Sequence, residues 1–314
     1  CLRSSLQDAI MSILLEQVLN GLQFGAMLFM LAAGLTLIFG IMGVVNLTHG
    51  SFYMVGAYCA AFAIAQTGYF FAGVVAALLG AGLYGLLAEV TVIRKLYRRD
   101  HLYQVLATFG LLLFSNEAVS LIFGRRPPLV NIPDFLSGAV TLAPGFDYPV
   151  IRLSFIVIGA LVAVGLWWLV NRTRIGMLIR AGADDRDMVD GLGVDIGKLY
   201  TLVFGLGALL CGLAGVMAAP LLAVEIGMGE RILITTFVVI VIGGVGSVRG
   251  ALVGALLVGM VDSLGRAFLP QLLGTMFAAS TADTLAAGLA SASIYVLMAI
   301  VLIVKPGGLF PARG

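Results

Sequence analysis

Apolar residues run along this chain in long unbroken blocks separated by short polar loops. Ten blocks stand out, at 13–33, 35–45, 52–65, 70–93, 102–123, 150–170, 199–224, 232–242, 251–269 and 285–304. A helix that crosses the hydrocarbon core of a bilayer takes about 20 residues. Eight blocks have or approach that length, and those at 35–45 and 232–242 are too short to cross alone. Polarity does not alternate within the blocks as it would along a barrel strand. Backbone in hydrocarbon must satisfy its own hydrogen bonds, so the blocks are predicted as helices. The expectation is an all-α polytopic membrane protein of about 8–10 transmembrane or half-membrane helices. Residues 11–314 form one membrane domain, and residues 1–10 read as an extension ahead of Met11.

Composition agrees. Hydrophobic residues make up 61% of the 314 positions and charged residues only 11%, against roughly 25% charged in soluble domains. A net charge of +2 spread over several loops gives no footprint for nucleic acid. The 3 cysteines have no metal-ligand spacing and make no disulfide framework. The bases set the orientation, because short cytoplasmic loops collect Lys and Arg. Arg94, Lys95, Arg98 and Arg99 share one loop, and Arg172, Arg174, Arg180, Arg186 and Lys198 another. Lys305 and Arg313 follow the last block. These regions are expected inside, with 124–149, 225–231 and 266–284 outside. Upstream of residue 94 the parity stays open, since 35–45 either crosses or re-enters.

Two stretches share a design in which an apolar half-helix meets glycines, then small polar residues, then a further apolar run. The first holds Gly40, Gly43, Asn46, His49, Ser51 and Tyr53; the second holds Gly243, Gly244, Gly246 and Ser247. Glycine weakens a helix by about 1 kcal/mol relative to alanine and lets the backbone turn. Broken backbone at membrane depth is tolerated only against protein or a watery cavity. Paired breaks point to an internal inverted repeat and a substrate path. The plainer explanation is that small residues simply let helices pack closely. His49 has no partners for a metal site. Glu117, inside a block, is a pathway candidate because an ionisable group in lipid is expensive, whereas Glu89 reads as the partner of nearby Arg94.

The longest basic loop, 171–198, mixes bases and acids with Met177, Leu178, Met188, Val189 and Leu192. Residues 181–190 suggest a short amphipathic helix ended by Gly191, suited to lie in a groove of a partner. Here a family resemblance becomes specific. Thr173-Arg174-x-Gly176, Arg180-Ala181 and Gly191-Leu-Gly193-Val resemble the cytoplasmic motif of branched-chain amino acid ABC permeases of the LivH/LivM type. The run from Gly34 to Gly50 resembles that family's N-terminal signature. So do Gly243-Gly-x-Gly-Ser247 with Gly250, and Lys305-Pro-Gly-Gly-Leu-Phe310. The likeness covers the chain from Met11 onward and is closer to the H-type subunit.

The resemblance implies an alternating-access permease of an ATP-driven importer in the bacterial inner membrane. Its implied partners are a LivM-type second permease subunit in a heterodimer, two cytoplasmic ATPases, a periplasmic binding protein and membrane lipid. The implied coupling residues are Thr173, Arg174, Gly176, Arg180, Ala181, Asp184, Asp185, Gly191 and Gly193. A phosphate-binding loop needs G-x-x-x-x-G-K-[ST], and Gly197-Lys198-Leu199 lacks its first glycine and its hydroxyl. This chain is therefore not expected to be an enzyme, and ATP and Mg are expected on the ATPase partners. Urea, short amides and aromatic acids share these signatures as substrate classes. A stand-alone secondary transporter or channel would use paired breaks equally well.

Overall fold

The computed structural model describes residues 2–97, 99–126, 128–143 and 146–311; Arg98 and Arg313 lie outside them. Among the described residues there are eleven α-helices: α1 (Leu2–Met42), α2 (His49–Thr67), α3 (Phe70–Thr91), α4 (His101–Phe123), α5 (Val150–Arg172), α6 (Arg174–Asp184), α7 (Arg186–Gly191), α8 (Ile196–Ala218), α9 (Met228–Gly243), α10 (Val248–Gly274) and α11 (Ala279–Val304). Among the described residues, 7 helices are long and apolar enough to cross a membrane: α1, α3, α4, α5, α8, α10 and α11. The chain is an all-α multi-pass membrane protein.

The blocks at 13–33 and 35–45 are one helix. Gly34 does not interrupt α1, because it is where α1 packs on Gly207 of α8. This close packing of small residues recurs. Gly21 and Gly25 of α1 meet Met260 and Ala255 of α10, and Gly85 of α3 meets Ala208 of α8. Van der Waals packing through small residues is what holds helices together in lipid. α1 is the most enclosed span, 83% buried over its apolar window, while α11 is 11% buried there. α5 and α11 are rim helices carrying exposed Leu161, Val164, Trp168, Ile300 and Ile303.

The contacts fix which ends of the helices lie together. The C-terminal end of α1 lies with α6, the α9–α10 turn and the 306–311 tail. Arg94 beyond α3 bonds Thr201 near the start of α8. This end carries the basic loops and is the inner one. At the opposite end, Asn20 of α1 accepts from Tyr148 at 3.2 Å and from Arg152. α1 therefore ends on the same side as the basic loops, which fixes its direction relative to them.

The 124–149 region contains two strands that the hydrophobic pattern does not announce. β1 (Ala139–Ala143) and β2 (Phe146–Pro149) pair antiparallel, Val140 opposite Tyr148. Strands this short leave too little alternation to read from sequence.

After α1 the chain turns back into the membrane over 43–48, and α2 then runs outward. After α8, which runs outward, the chain turns back over 219–227, and α9 runs inward. The neighbours repeat with the same inversion. α1 lies along α10 as α8 lies along α3, and α2 touches α4 as α9 touches α11. The second break is therefore at 219–227, not at 241–251. The block at 199–224 ends as a helix at Ala218, ahead of Pro220, which supplies no backbone N–H. The expectation that 225–231 is an outer loop is likewise corrected: Gly229 touches Gly50 in the interior.

Candidate functional site

The first break is built from buried polar groups. Gly43, at φ +63°, ends α1 in a left-handed conformation, its N–H reaching the Phe39 carbonyl at 2.9 Å. The Asn46 side-chain oxygen accepts the Thr48 N–H at 3.0 Å. The Thr48 hydroxyl donates to the Thr108 carbonyl of α4, also at 3.0 Å. Asn46, Thr48 and His49 are wholly buried, as non-helical backbone at this depth requires. His49 opens α2. Its Nε2 lies 3.1 Å from the Leu31 carbonyl of α1 and 3.0 Å from the Cys211 sulfur of α8. Cys211 is fifteen residues along α8, roughly 22 Å from its inner start. His49 therefore ties three helices together deep in the membrane. Ser51 and Tyr53 follow on α2, both buried.

In the second break, Gly227 at φ +85° precedes α9, and Met228 and Gly229 are buried. The N-termini of α2 and α9 meet there, Gly50 against Gly229. Helix N-termini carry roughly half a positive charge each, so two such ends converge in the middle of the fold. Beside them, Asn116 of α4 donates to Glu230, and Arg231 pairs with Glu225. The hydrophobic pattern does not single out Asn116, Glu230 and Arg231. A signal is present in Glu-Ile-Gly-Met-Gly-Glu-Arg, a charged run between apolar blocks, but its depth is set by the fold and not by hydropathy. Glu117, the next residue on α4, is exposed.

Gly243, Gly244, Gly246 and Ser247 do not form a mid-depth break. They make the inner turn between α9 and α10. Gly244 and Gly246 sit at φ +104° and +84°, and Ser247 caps α10 by accepting the Gly250 N–H at 3.1 Å. The C-terminal tail closes on this turn: Leu309 and Phe310 N–H groups reach the Ile242 and Gly243 carbonyls, both at 2.9 Å. The two terminal glycine motifs are thus one packed unit, satisfying carbonyls that the end of α9 leaves free. Gly40 packs on Gly246. Gly40, Gly43, Gly246 and Ser247 line an inner cavity of about 1420 Å³ with Thr36, Trp167, Arg180 and Arg249.

The 172–198 loop folds into α6 and α7 on the inner end. Thr173 caps α6, accepting the Gly176 N–H at 3.1 Å. Gly176 packs so close to the Leu169 and Val170 carbonyls that a side chain would not fit. Ile179 and Gly182 turn inward, Gly182 towards Ile41 of α1. Arg174, Ala181 and Asp184 are exposed, and Arg180 donates to the Val170 carbonyl. The single helix expected over 181–190 is two, because Asp185 stops α6 and caps α7 by accepting the Met188 N–H at 3.0 Å. α7 ends at Gly191, and Gly193 turns the chain at φ +86°. Met177, Met188 and Leu192 are 56%, 65% and 75% exposed, an apolar surface beyond the inner end of the spans.

Glu89 behaves as its proximity to Arg94 suggests. Wholly buried, it accepts two bonds from Arg94, at 3.0 and 2.8 Å, and others from Tyr97 and Thr201. Burial and the carboxylate beside it hold the Tyr97 phenol well above its ordinary range. Asp195 caps α8 on the same side; the Lys198 backbone N–H and ammonium hold its carboxyl below the usual range.

A family model described as branched-chain amino acid transport system / permease component matches residues 17–304. The high-affinity branched-chain amino acid permease protein LivH of Escherichia coli is 29% identical over 269 residues, 81% of this chain and 87% of that protein. Its counterpart BraD of Pseudomonas aeruginosa is 30% identical over 265 residues, 80% of this chain and 86% of that protein. An ABC transporter of metal-chelate type, solved in an inward-facing conformation, superposes with a TM-score of 0.48 at 18% identity over 91% of this chain and 85% of that one, too loosely to bear on function. The family match spans nearly every helix described above, including both breaks, α6, α7 and the α9–α10 turn, and on that extent the chain belongs to the branched-chain amino acid transport permease family.

Proposed function

We propose that this chain is the transmembrane permease subunit of an ATP-driven ABC importer. It carries branched-chain or other hydrophobic amino acids across the bacterial inner membrane by alternating access. The family match over residues 17–304, with relatives named as high-affinity branched-chain amino acid permeases, carries this reading. The geometry supports it. Two half-helices enter from opposite sides and meet at mid-depth, so the barrier there is short and made of backbone contacts that a small relative movement opens. A mostly apolar interior with few fixed charges suits a zwitterion with an apolar side chain.

The exposed apolar and charged surface of α6 and α7 is the docking element for a cytoplasmic ATPase in this reading. α6 rests on the inner ends of α5 and α1, so a push on it reaches the helix that leads into the first break. A second permease subunit of LivM type, a second ATPase and a periplasmic binding protein complete the assembly. ATP and Mg belong to the ATPases.

The test is uptake of labelled leucine in cells with and without this gene, with valine, phenylalanine, urea and benzoate as competitors. Leucine uptake that falls on deletion and is competed by valine supports the reading. Uptake unchanged by deletion removes the amino-acid substrate.

A further inference from the structure

Glu117 stands on the outward face of α4 in an apolar stripe, between Leu113 and Phe114, 47% and 63% exposed, and Leu121, 84% exposed. By helix rise it lies about 24 Å from the inner end of α4 and about 9 Å from the outer end. Among the described residues it has no hydrogen-bond or ion-pair partner. A bare carboxylate at that depth is not stable against hydrocarbon; such groups face water-filled paths or partners.

Its surroundings are polar in a way the other rim helices are not. Asn116, the preceding residue, donates to Glu230 at the start of α9. Arg231 and Glu225 pair alongside with side chains 65% and 42% exposed. Tyr58 of α2 is 1% exposed, its hydroxyl has no partner among the described residues, and it lies within electrostatic reach of Glu225. By contrast, the exposed mid-span positions of α5 (Val157, Leu161, Val164) and of α11 (Tyr295, Val296, Ile300) carry no charge. The outer half of α4 and the start of α9 thus carry charge at a depth where the exposed positions of α5 and α11 carry none.

We propose that the face carrying Glu117, Glu230 and Arg231 is a wall of the water-filled substrate path, and that Glu117 is its fixed negative charge, facing the ammonium group of a zwitterionic solute. Arg231, with donors beyond those used on Glu225, is the cationic counterpart for the solute's carboxylate. This rests on the permease reading, in which a second permease subunit closes the path opposite.

The test uses the whole transporter in cells. Glu117→Cys and Leu161→Cys, the latter on the exposed apolar side of α5 at the middle of that span, are compared for modification by a membrane-impermeant cationic methanethiosulfonate. The unsubstituted chain is the blank for its native cysteines. Because the thiolate reacts and forms only where water reaches, Glu117→Cys is expected to be modified at least about tenfold faster. Equal, slow rates would overturn the path. In parallel, Glu117→Gln is expected to lower leucine uptake about tenfold at unchanged amount in the membrane, with Glu117→Asp restoring most of it, as a fixed charge requires. Full uptake by Glu117→Gln would overturn the ammonium role. Fast modification of Glu117→Cys in cells whose leucine uptake ignores this gene would uphold the path and sink only the amino-acid substrate.

Discussion

Gly50 of α2 and Gly229 of α9 touch backbone to backbone: a Cβ built on either would collide with the carbonyl of the other. Neither has a positive φ, so the requirement for glycine here comes from proximity, not from conformation. Because a Cβ is fixed by its own backbone and the atom it meets is main chain, no rotamer relieves the clash. Gly50→Ala is therefore expected to push the half-helices apart at a cost of about 1–3 kcal/mol, the range for overpacking. Thermal unfolding of the detergent-purified transporter, alongside uptake, checks this; an unchanged melting temperature with full uptake would contradict the packing.

Glu89 is the buried anchor at the inner end of α3. Replacing it with Gln leaves Arg94 and Tyr97 facing a neutral amide. Breaking a fully buried ion pair costs about 3–5 kcal/mol; Arg94 is 45% exposed, and solvent screening lowers the expected loss to about 1–3 kcal/mol. The same melting measurement reads it. Since Glu89 bonds across to Thr201 on α8, Thr201→Val should lower stability in the same direction by less.

Met188 and Leu192 touch little of their own chain. Changing either to Asp should leave folding and membrane amount as they are, within about 0.5 kcal/mol, while uptake falls by more than tenfold if an ATPase seats there. Parallel immunoblots and uptake assays decide it. Equal uptake by both variants would remove α7 from the coupling surface.

Gly308 sits at φ +81° with its Cα side against Gly244. Gly308→Val combines a disfavoured conformation with a backbone clash, and each alone costs about 1–3 kcal/mol. The expected result is loss of the tail from the α9–α10 turn, seen as protease cleavage near residues 305–311 in inside-out vesicles. A tail as protected as in the unsubstituted chain would show that the turn does not depend on it.

Spans of 20 or so apolar residues were legible because burial in lipid leaves hydropathy as the dominant signal. What hydropathy did not resolve was where an apolar run stops being a helix. Gly34 and the residues at 219–227 show why. Gly34 looks like a breaker but is a contact point inside α1, while Ala219 to Val224 look helical yet belong to the true second break around Pro220. A glycine that packs and a glycine that turns are the same letter, and only the neighbour across the helix tells them apart. The coupling region was legible as amphipathic, but Asp185, which divides it, acts through a cap whose effect depends on the local backbone. Glu117 was picked out by its charge alone; Glu230 and Arg231 were not, because their depth follows from the re-entrant topology.

Neither α2 nor α9 reaches from one surface of the membrane to the other. Both begin at the same glycine contact, and α2 is packed along α3 and α8 from there outward. A full-length helix transmits a displacement at its inner end to its outer end as a rigid rod. Two helices that only meet end to end do not carry a displacement across in that way. The Gly50–Gly229 junction therefore acts as a mechanical disconnect between the two faces of the membrane. Widening on one side need not drag the other side open, which is the condition for moving a solute without making a continuous hole.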